Sequence, residues 1–400
     1  LYADELLLPW LAALVERLPG VRLFDAHTHL GANDPDGSHC TSEELLDALD
    51  LIDARAVTFP LMEPGGYREA NDAVLAAASE SGGRLAPFCR IDPRDRPVGE
   101  LERCHALGAR GVKLHPRAER FDLRHPGVEA VLEAAHERRL PVIVHSGLGI
   151  PSLGRDALAL CERFPGAPLI LAHLGVSELS WIWRYVPDRP NLFFDTAWWN
   201  PADHLALFTQ VPPGHILFAS DTPYGTPAAA AIVALRCAMH AGLSPAQVWS
   251  VAGGQIQRLL AGEEPLDLGP APALAGSASV GAGPDAPAAA PVSSPTPAPV
   301  SPRPVLLERV FTLLVGAMAQ LLRDQPAADL IELARLGCRV DGDRPETGVL
   351  AEIAELLERR AGYLQTHEKD GRRPAGFHVI LVAAALAAAP SAPLVGPAPH

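Results

Sequence analysis

Lysine is nearly absent from this chain. Of its 33 basic residues only two are lysines, Lys113 and Lys369; the rest are arginines. Acidic residues outnumber basic ones, giving a net charge of −14 over 400 residues. That balance argues against nucleic acid as a main partner and leaves no basic patch for an anionic membrane. No apolar run approaches the roughly 20 residues that span a bilayer. The longest, 379–389, reads as a buried helix. The N-terminal stretch lacks the basic, apolar, small-residue pattern of a secretion signal, so a cytoplasmic protein is expected. None of the six cysteines stands in a C-x-x-C pair. Zinc-finger and thioredoxin-type motifs are therefore not indicated, and reduced thiols scattered through a core are expected. No glycine-rich dinucleotide turn follows the first predicted strand, which argues against a doubly wound open sheet.

What is present is alternation. Short apolar segments at 21–26, 54–59, 85–89, 111–114, 141–144, 169–172, 191–194 and 215–219 read as strands. Helical patterns at 41–51, 68–79, 98–107, 128–138 and 157–164 lie between them, with further helices at 2–18 and 244–260. Thr41, followed by Ser42, Glu43 and Glu44, supplies a helix N-cap. Eight such strands over about 260 residues predict a (β/α)8 TIM barrel across 1–267. From 268 to 304 the composition turns to Ala, Pro, Gly and Ser, which cannot bury enough apolar surface to fold and predicts a disordered linker. Helical patterns at 305–322, 327–336, 347–364 and 376–389 predict a small helical domain over 305–400, its apolar faces packed against one another.

The predicted strand ends carry chemistry. His27 and His29 follow strand one, two residues apart and so on one face of an extended chain. Lys113 and His115 share a face of strand four, His145 follows strand five, His173 strand six and Asp221 strand eight. In such a barrel the C-terminal strand ends converge on one mouth, where catalytic residues sit. Imidazoles and a carboxylate there suit a borderline divalent metal: zinc, with manganese or iron as alternatives. Water on such a metal titrates near pH 7. Asp221 can ligate and also act as general base, while His173 can ligate a second ion or polarise the substrate. Lys113, isolated among arginines, can lose its proton or carry an adduct, which arginine cannot.

The ordered phrases Phe24-Asp25-Ala26-His27-Thr28-His29, Gly111-Val112-Lys113-Leu114-His115-Pro116, Val144-His145-Ser146-Gly147, Leu171-Ala172-His173-Leu174-Gly175 and Ala219-Ser220-Asp221-Thr222-Pro223-Tyr224-Gly225 resemble the amidohydrolase superfamily. The resemblance runs from about residue 20 to 262 and points to the branch similar to aminocarboxymuconate-semialdehyde decarboxylase and its metal-dependent hydrolase relatives. It implies that His27, His29, His145 and Asp221 hold a first metal, with His173 as the catalytic or second-metal histidine. In binuclear members a strand-four lysine is carboxylated and bridges two metals, so Lys113 leaves one or two ions open.

The expected activity is hydrolysis of an ester, lactone or amide in a small molecule. The alternative is non-oxidative decarboxylation of an unsaturated or aromatic acid. Outside enzymes, a silent barrel scaffold with an interaction tail is the third reading. Trp198 and Trp199 after strand seven, and Trp181 and Trp183 after strand six, are candidate walls of an apolar pocket. Arg90, closing strand three, is a candidate anchor for a substrate carboxylate. A homo-oligomer and a protein partner for the tail stay open.

Overall fold

The strands form because runs of Val, Ile, Leu and Phe are buried on both faces of a parallel sheet. The computed structural model describes residues 3–147, 149–275, 303–340, 344–370 and 373–390. Nine strands follow one another: β1 (Phe24–Leu30), β2 (Arg55–Pro60), β3 (Leu85–Pro87), β4 (Cys89–Arg90), β5 (Val112–Leu114), β6 (Val142–Val144), β7 (Leu169–Leu171), β8 (Leu192–Asp195) and β9 (Ile216–Leu217). All neighbouring pairs are parallel. β3 and β4 are the two halves of the predicted third strand. Phe88 lies between them and donates its N–H to the Thr58 carbonyl at 2.9 Å, while the Cys89 N–H reaches Gly111 O at 3.0 Å. One strand thus hands the sheet from β2 to β5. The ring closes where Ala26 N–H donates to Phe218 O and His29 N–H to Thr222 O, both at 2.8 Å.

Alternation sorts the strand residues. Ile143, Ile170, Phe193 and Leu217 point into the barrel. Val142, Val144, Leu169, Leu171, Leu192, Phe194 and Ile216 face the helices. β1 breaks this rule usefully. Phe24 and Ala26 fill the interior, so simple alternation would turn Thr28 inward next. The register against β2 shifts between Asp25 and Thr28. That irregularity changes parity and lets His27 and His29 line the mouth.

The helices around the barrel include α1 (Leu8–Glu16), α2 (Ser42–Asp50), α3 (Arg68–Glu80), α4 (Pro97–Ala106), α5 (Pro126–Arg138), α6 (Gly154–Arg163), α7 (Leu179–Ile182), α8 (Pro201–Gln210) and α9 (Pro227–His240). At α2 the predicted cap is reciprocal: Glu44 N–H donates to Thr41 Oγ1 and Thr41 N–H to Glu44 Oε2. The helix expected over 244–260 is broken into α10 (Pro245–Trp249) and α11 (Gln255–Leu260) by a wide turn at Ser250–Gly254. That turn presses on the start of β1. A Cβ at Gly253 would lie 2.6 Å from the Arg22 carbonyl oxygen and 2.9 Å from Phe24 Cβ. Gly253→Ala is therefore expected to destabilise the barrel by about 1–3 kcal/mol, as overpacking does. An unchanged urea midpoint would refute this.

Most of the stretch predicted as a linker, 276–302, lies outside the described residues. Its first residues do not leave the barrel. Gln247 Nε2 donates to the Leu268 carbonyl at 2.9 Å. Ala271 is buried, and α12 (Pro272–Ala275) packs on α8. Beyond the gap come α13 (Val305–Leu321), α14 (Ala328–Gly337), α15 (Thr347–Tyr363) and α16 (Phe377–Ala388). A two-residue antiparallel ladder, Lys369–Asp370 with Arg373–Pro374, precedes α16 and was not foreseen.

Apart from His378, α16 is apolar around its circumference, and it is buried along its whole length. Such a helix must be covered on every side. α13 and α15 cover part of it, and α8 and α9 of the barrel cover another part. Packing of the tail only against itself, as expected from the sequence, is thus incomplete. All six cysteines are free and buried. Among the described residues no helix is long and apolar enough to cross a membrane.

Candidate metal and active site

Two strand ends, β1 and the segment after β9, bring an N, N, O donor set together. His27 Nε2 and His29 Nε2 each lie 3.1 Å from Asp221 Oδ1. One ligand atom from each of these residues falls within 4.8 Å of the other two. His27 Nδ1–H donates to Asp195 Oδ2 at 2.7 Å, and His29 Nδ1 faces the Pro60 carbonyl at 3.4 Å. These partners fix both rings with Nε2 turned to the mouth, the arrangement seen around metal-ligating histidines. Asp221 itself sits at φ 61°, as do His173 at 59° and Leu174 at 61°. Left-handed backbone is costly for such residues and concentrates at functional sites.

His173 and His145 form a neighbouring pair. His173 Nε2 is 2.9 Å from His145 Nδ1, and its own Nδ1–H donates to the Ala197 carbonyl at 2.7 Å. His145 is not part of the three-residue ligand cluster. Its ring stacks on His115 with centroids 3.9 Å apart. Its buried Nε2 has no hydrogen-bond partner among the described residues. An unsatisfied nitrogen of this kind calls for an ion or water.

The electrostatics suit a cation. Burial holds the His29 imidazole down to about 3, so it is neutral and can ligate. Burial and the neighbouring His173 hold His145 well below its usual range. Burial opposes ionisation of Asp221, but the adjoining His27 and His173 and hydrogen bonds from His27 and His29 hold its carboxyl well below the usual range. Lys113 is buried, with Nζ 3.1 Å from His27 Nε2 and 4.7 Å from the Phe59 ring centre. Burial lowers its ammonium to about 7. A buried and a half-buried carboxylate, Asp195 and Asp221, the neutral imidazoles of His29 and His145, and an unpartnered ring nitrogen therefore fit a divalent ion. Against burial and Lys113, the two carboxylates raise the His27 imidazole, so a cation there must displace its proton.

Asp195 was not singled out in the sequence. One oxygen accepts from His27; the other accepts from the backbone N–H groups of His173 and Ala197 at 2.8 and 3.1 Å. A carboxylate ending the Leu-Phe-Phe-Asp strand at the barrel mouth was the available signal. Asp195→Asn is expected to weaken metal binding about 10–100-fold, read by competition with a chelator. Unchanged affinity would show that His27 needs no such orientation.

The mouth opens into a cavity of about 600 Å³. Trp198 and Trp199 line it as expected; Trp198 Nε1–H donates to Asp203 at 2.7 Å. Trp181 and Trp183 do not. The Trp181 indole donates to Glu178, and Trp183 is buried in the outer core. Arg90 reaches the cavity wall but is already engaged. Its Nε and Nη2 donate to Glu119 at 3.2 and 2.8 Å and its Nη1 to the Pro60 carbonyl. Tyr67 also donates to Glu119, so the substrate-anchor role expected for Arg90 has a competitor within the fold. Arg117 and Arg120, which the sequence reading passed over, line the cavity, are exposed and have no ion-pair partner among the described residues.

The amidohydrolase family model matches residues 24–260. No curated protein matches the chain. Among solved structures it is similar to 5-carboxyvanillate decarboxylase LigW from Sphingomonas paucimobilis, at 17% identity and TM-score 0.49, over 60% of this chain and 99% of that one. It is similar to 2,6-dihydroxybenzoate decarboxylase from Rhizobium, at 15% identity and TM-score 0.48, over 60% and 99%. A dihydroxybenzoic acid decarboxylase from Polaromonas, with bound manganese and 2-nitroresorcinol, is 15% identical with TM-score 0.45, over 60% and 97%. The family match spans the whole barrel and every strand end described above, and the chain belongs to the amidohydrolase family of metal-dependent enzymes.

Proposed function

We propose that the barrel releases carbon dioxide, without oxidation, from an aromatic or unsaturated carboxylic acid. One observation carries this reading. Arg117 and Arg120 stand unpaired in a cavity walled by Trp198 and Trp199, a pairing of cations with flat apolar surface that suits an aromatic acid. His27, His29 and Asp221, with His145 or His173 alongside, would hold a divalent ion, zinc by the softness of the donor set and manganese or iron by the same geometry. Bound there, the ion supplies positive charge that draws electron density from the reacting carbon.

The chain's own residues do the rest. Asp221, ionised at rest, takes up a proton from water at the mouth and passes it to the ring carbon as the carbon–carboxylate bond breaks. The electron pair of that bond is quenched by the proton, and carbon dioxide leaves. Trp198, whose ring centre is 6.3 Å from that of His173, restricts water at the site. The test is a panel of dihydroxybenzoates assayed for carbon dioxide and decarboxylated product. Ready hydrolysis of simple lactones with no gas release would overturn the reading.

A second reading, hydrolysis by an activated water, is favoured by Lys113. At a pKa of about 7 part of its amine is neutral and open to carboxylation. Under this reading Lys113→Arg lowers metal content from about two ions per chain to one and cuts lactonase activity more than 100-fold, about 2.7 kcal/mol of barrier. Elemental mass spectrometry of protein expressed with bicarbonate checks the first number. Full activity and metal content in that variant would leave the lysine a structural cation.

A further inference from the structure

The cavity over the metal site is not built by the barrel alone. Leu322, at the end of α13, and Phe377 and Leu381 on α16 belong to its lining. The same cavity is lined by Tyr224, Gly225 and Thr226 of the loop after Asp221 and by Ala229 and Ala230 of α9. α16 packs directly on α9, so this roof is continuous with the loop that carries Asp221.

The roof is also held firmly. Arg360 of α15, buried, donates from Nε to Gly376 O at 3.1 Å and from Nη2 to Ala375 O at 3.3 Å, at the entry to α16. Gly376 turns there at φ 67°, with room for no Cβ: one would lie 2.7 Å from Arg360 Cγ. At the other end Arg236 of α9, also buried, donates to Ala389 O at 2.8 Å and Pro390 O at 3.2 Å. A cation on the last carbonyls of a helix satisfies acceptors that the helix cannot and complements its dipole. One arginine from the tail and one from the barrel therefore fix both ends of α16.

The cavity is bipolar as a result. Arg117 and Arg120 stand on the chain that follows β5, and Leu322, Phe377 and Leu381, with His378 as the one polar member, form a mostly apolar wall contributed by the tail. A compact polar acid would leave that wall facing water, at a cost proportional to its apolar area. We infer that the C-terminal helices are a specificity wall of the active site: Leu322, Phe377 and Leu381 receive an apolar substituent of the substrate, whose anionic end meets Arg117 and Arg120. The substrate class is an amphiphilic acid, an aryl or acyl carboxylate bearing a hydrocarbon group. The inference rests on reading the cavity as an acid-binding pocket but not on which bond is broken there.

The experiment uses the full chain as purified with its metal, and two probes that differ only in the apolar group, benzoate and 4-butylbenzoate, titrated by calorimetry. The wild type is expected to bind 4-butylbenzoate at least ten-fold more tightly than benzoate. Leu381→Trp, which fills the wall, should abolish that preference. Leu333→Trp, on an exposed face of α14, should change neither. A preference near one in the wild type, or one that survives Leu381→Trp, overturns the inference. If benzoate does not bind at all, the acid-binding reading fails, and the wall is judged by a ligand-free measurement. Leu381→Cys and Val382→Cys are then compared for reaction with a small methanethiosulfonate in the native state. A cavity-facing thiol at 381 should react at least 100-fold faster than one at 382, and equal rates would remove the wall.

Discussion

A chain ending at residue 275 is expected to lose the stable barrel rather than a dispensable appendage. α9 is buried from Pro227 to Met239 apart from a partly exposed Ala230, and α16 is among the helices that cover it. Truncation uncovers the face of α9 and α8 beneath α16 and strands the Arg236 guanidinium, whose acceptors are Ala389 and Pro390. Each large apolar side chain returned to water costs about 1.5–3 kcal/mol. A few of them reach roughly 5 kcal/mol or more, comparable with the whole stability of many domains. The expected result is insoluble protein or a melting temperature lower by tens of degrees. A soluble truncated barrel melting within a few degrees of the full chain would show the tail to be an independent unit.

Asp221→Asn is expected to have the largest effect on activity. The carboxylate is the shared partner of His27 and His29 at 3.1 Å, and its neutral amide neither attracts a cation as strongly nor takes up a proton. Charge stabilisation by a bound ion is worth several kcal/mol, and every 1.4 kcal/mol is a factor of ten. A loss of about 1,000-fold or more in kcat/KM should therefore accompany a loss of metal. Retention of the metal with the same loss of rate would assign Asp221 to proton transfer alone. Retention of both would exclude it from the site.

The legible parts of this molecule are those in which one residue's neighbours along the chain determine its environment. Runs such as Val142–Val144 and Leu169–Leu171 announce strands because both faces are buried, and the reciprocal Thr41–Glu44 cap announces its helix. The histidines and Asp221 could be placed at the mouth because a barrel gathers its strand ends. What stayed hidden depends on long-range contact. The shift in β1 that turns His27 and His29 inward is set by pairing with β2, and the Phe88 break by the carbonyls of two different neighbours. That Glu119 engages Arg90 stays hidden because the two are 29 residues apart. Asp195 read as the end of an apolar strand until His27 met it across 168 residues. The apolar circumference of α16 was visible, but the sequence does not say which surface covers it.

That last feature bears on how the protein is made. During synthesis a chain folds from its N-terminal end as it emerges. Here all nine barrel strands and α9 leave the ribosome before α16 exists, so a growing chain must wait with an uncovered apolar face beside its candidate metal site. A folding helper that shields this face until α16 arrives would have a defined task, and one defined residue, Arg236, marks its completion by closing on the carbonyls of Ala389 and Pro390.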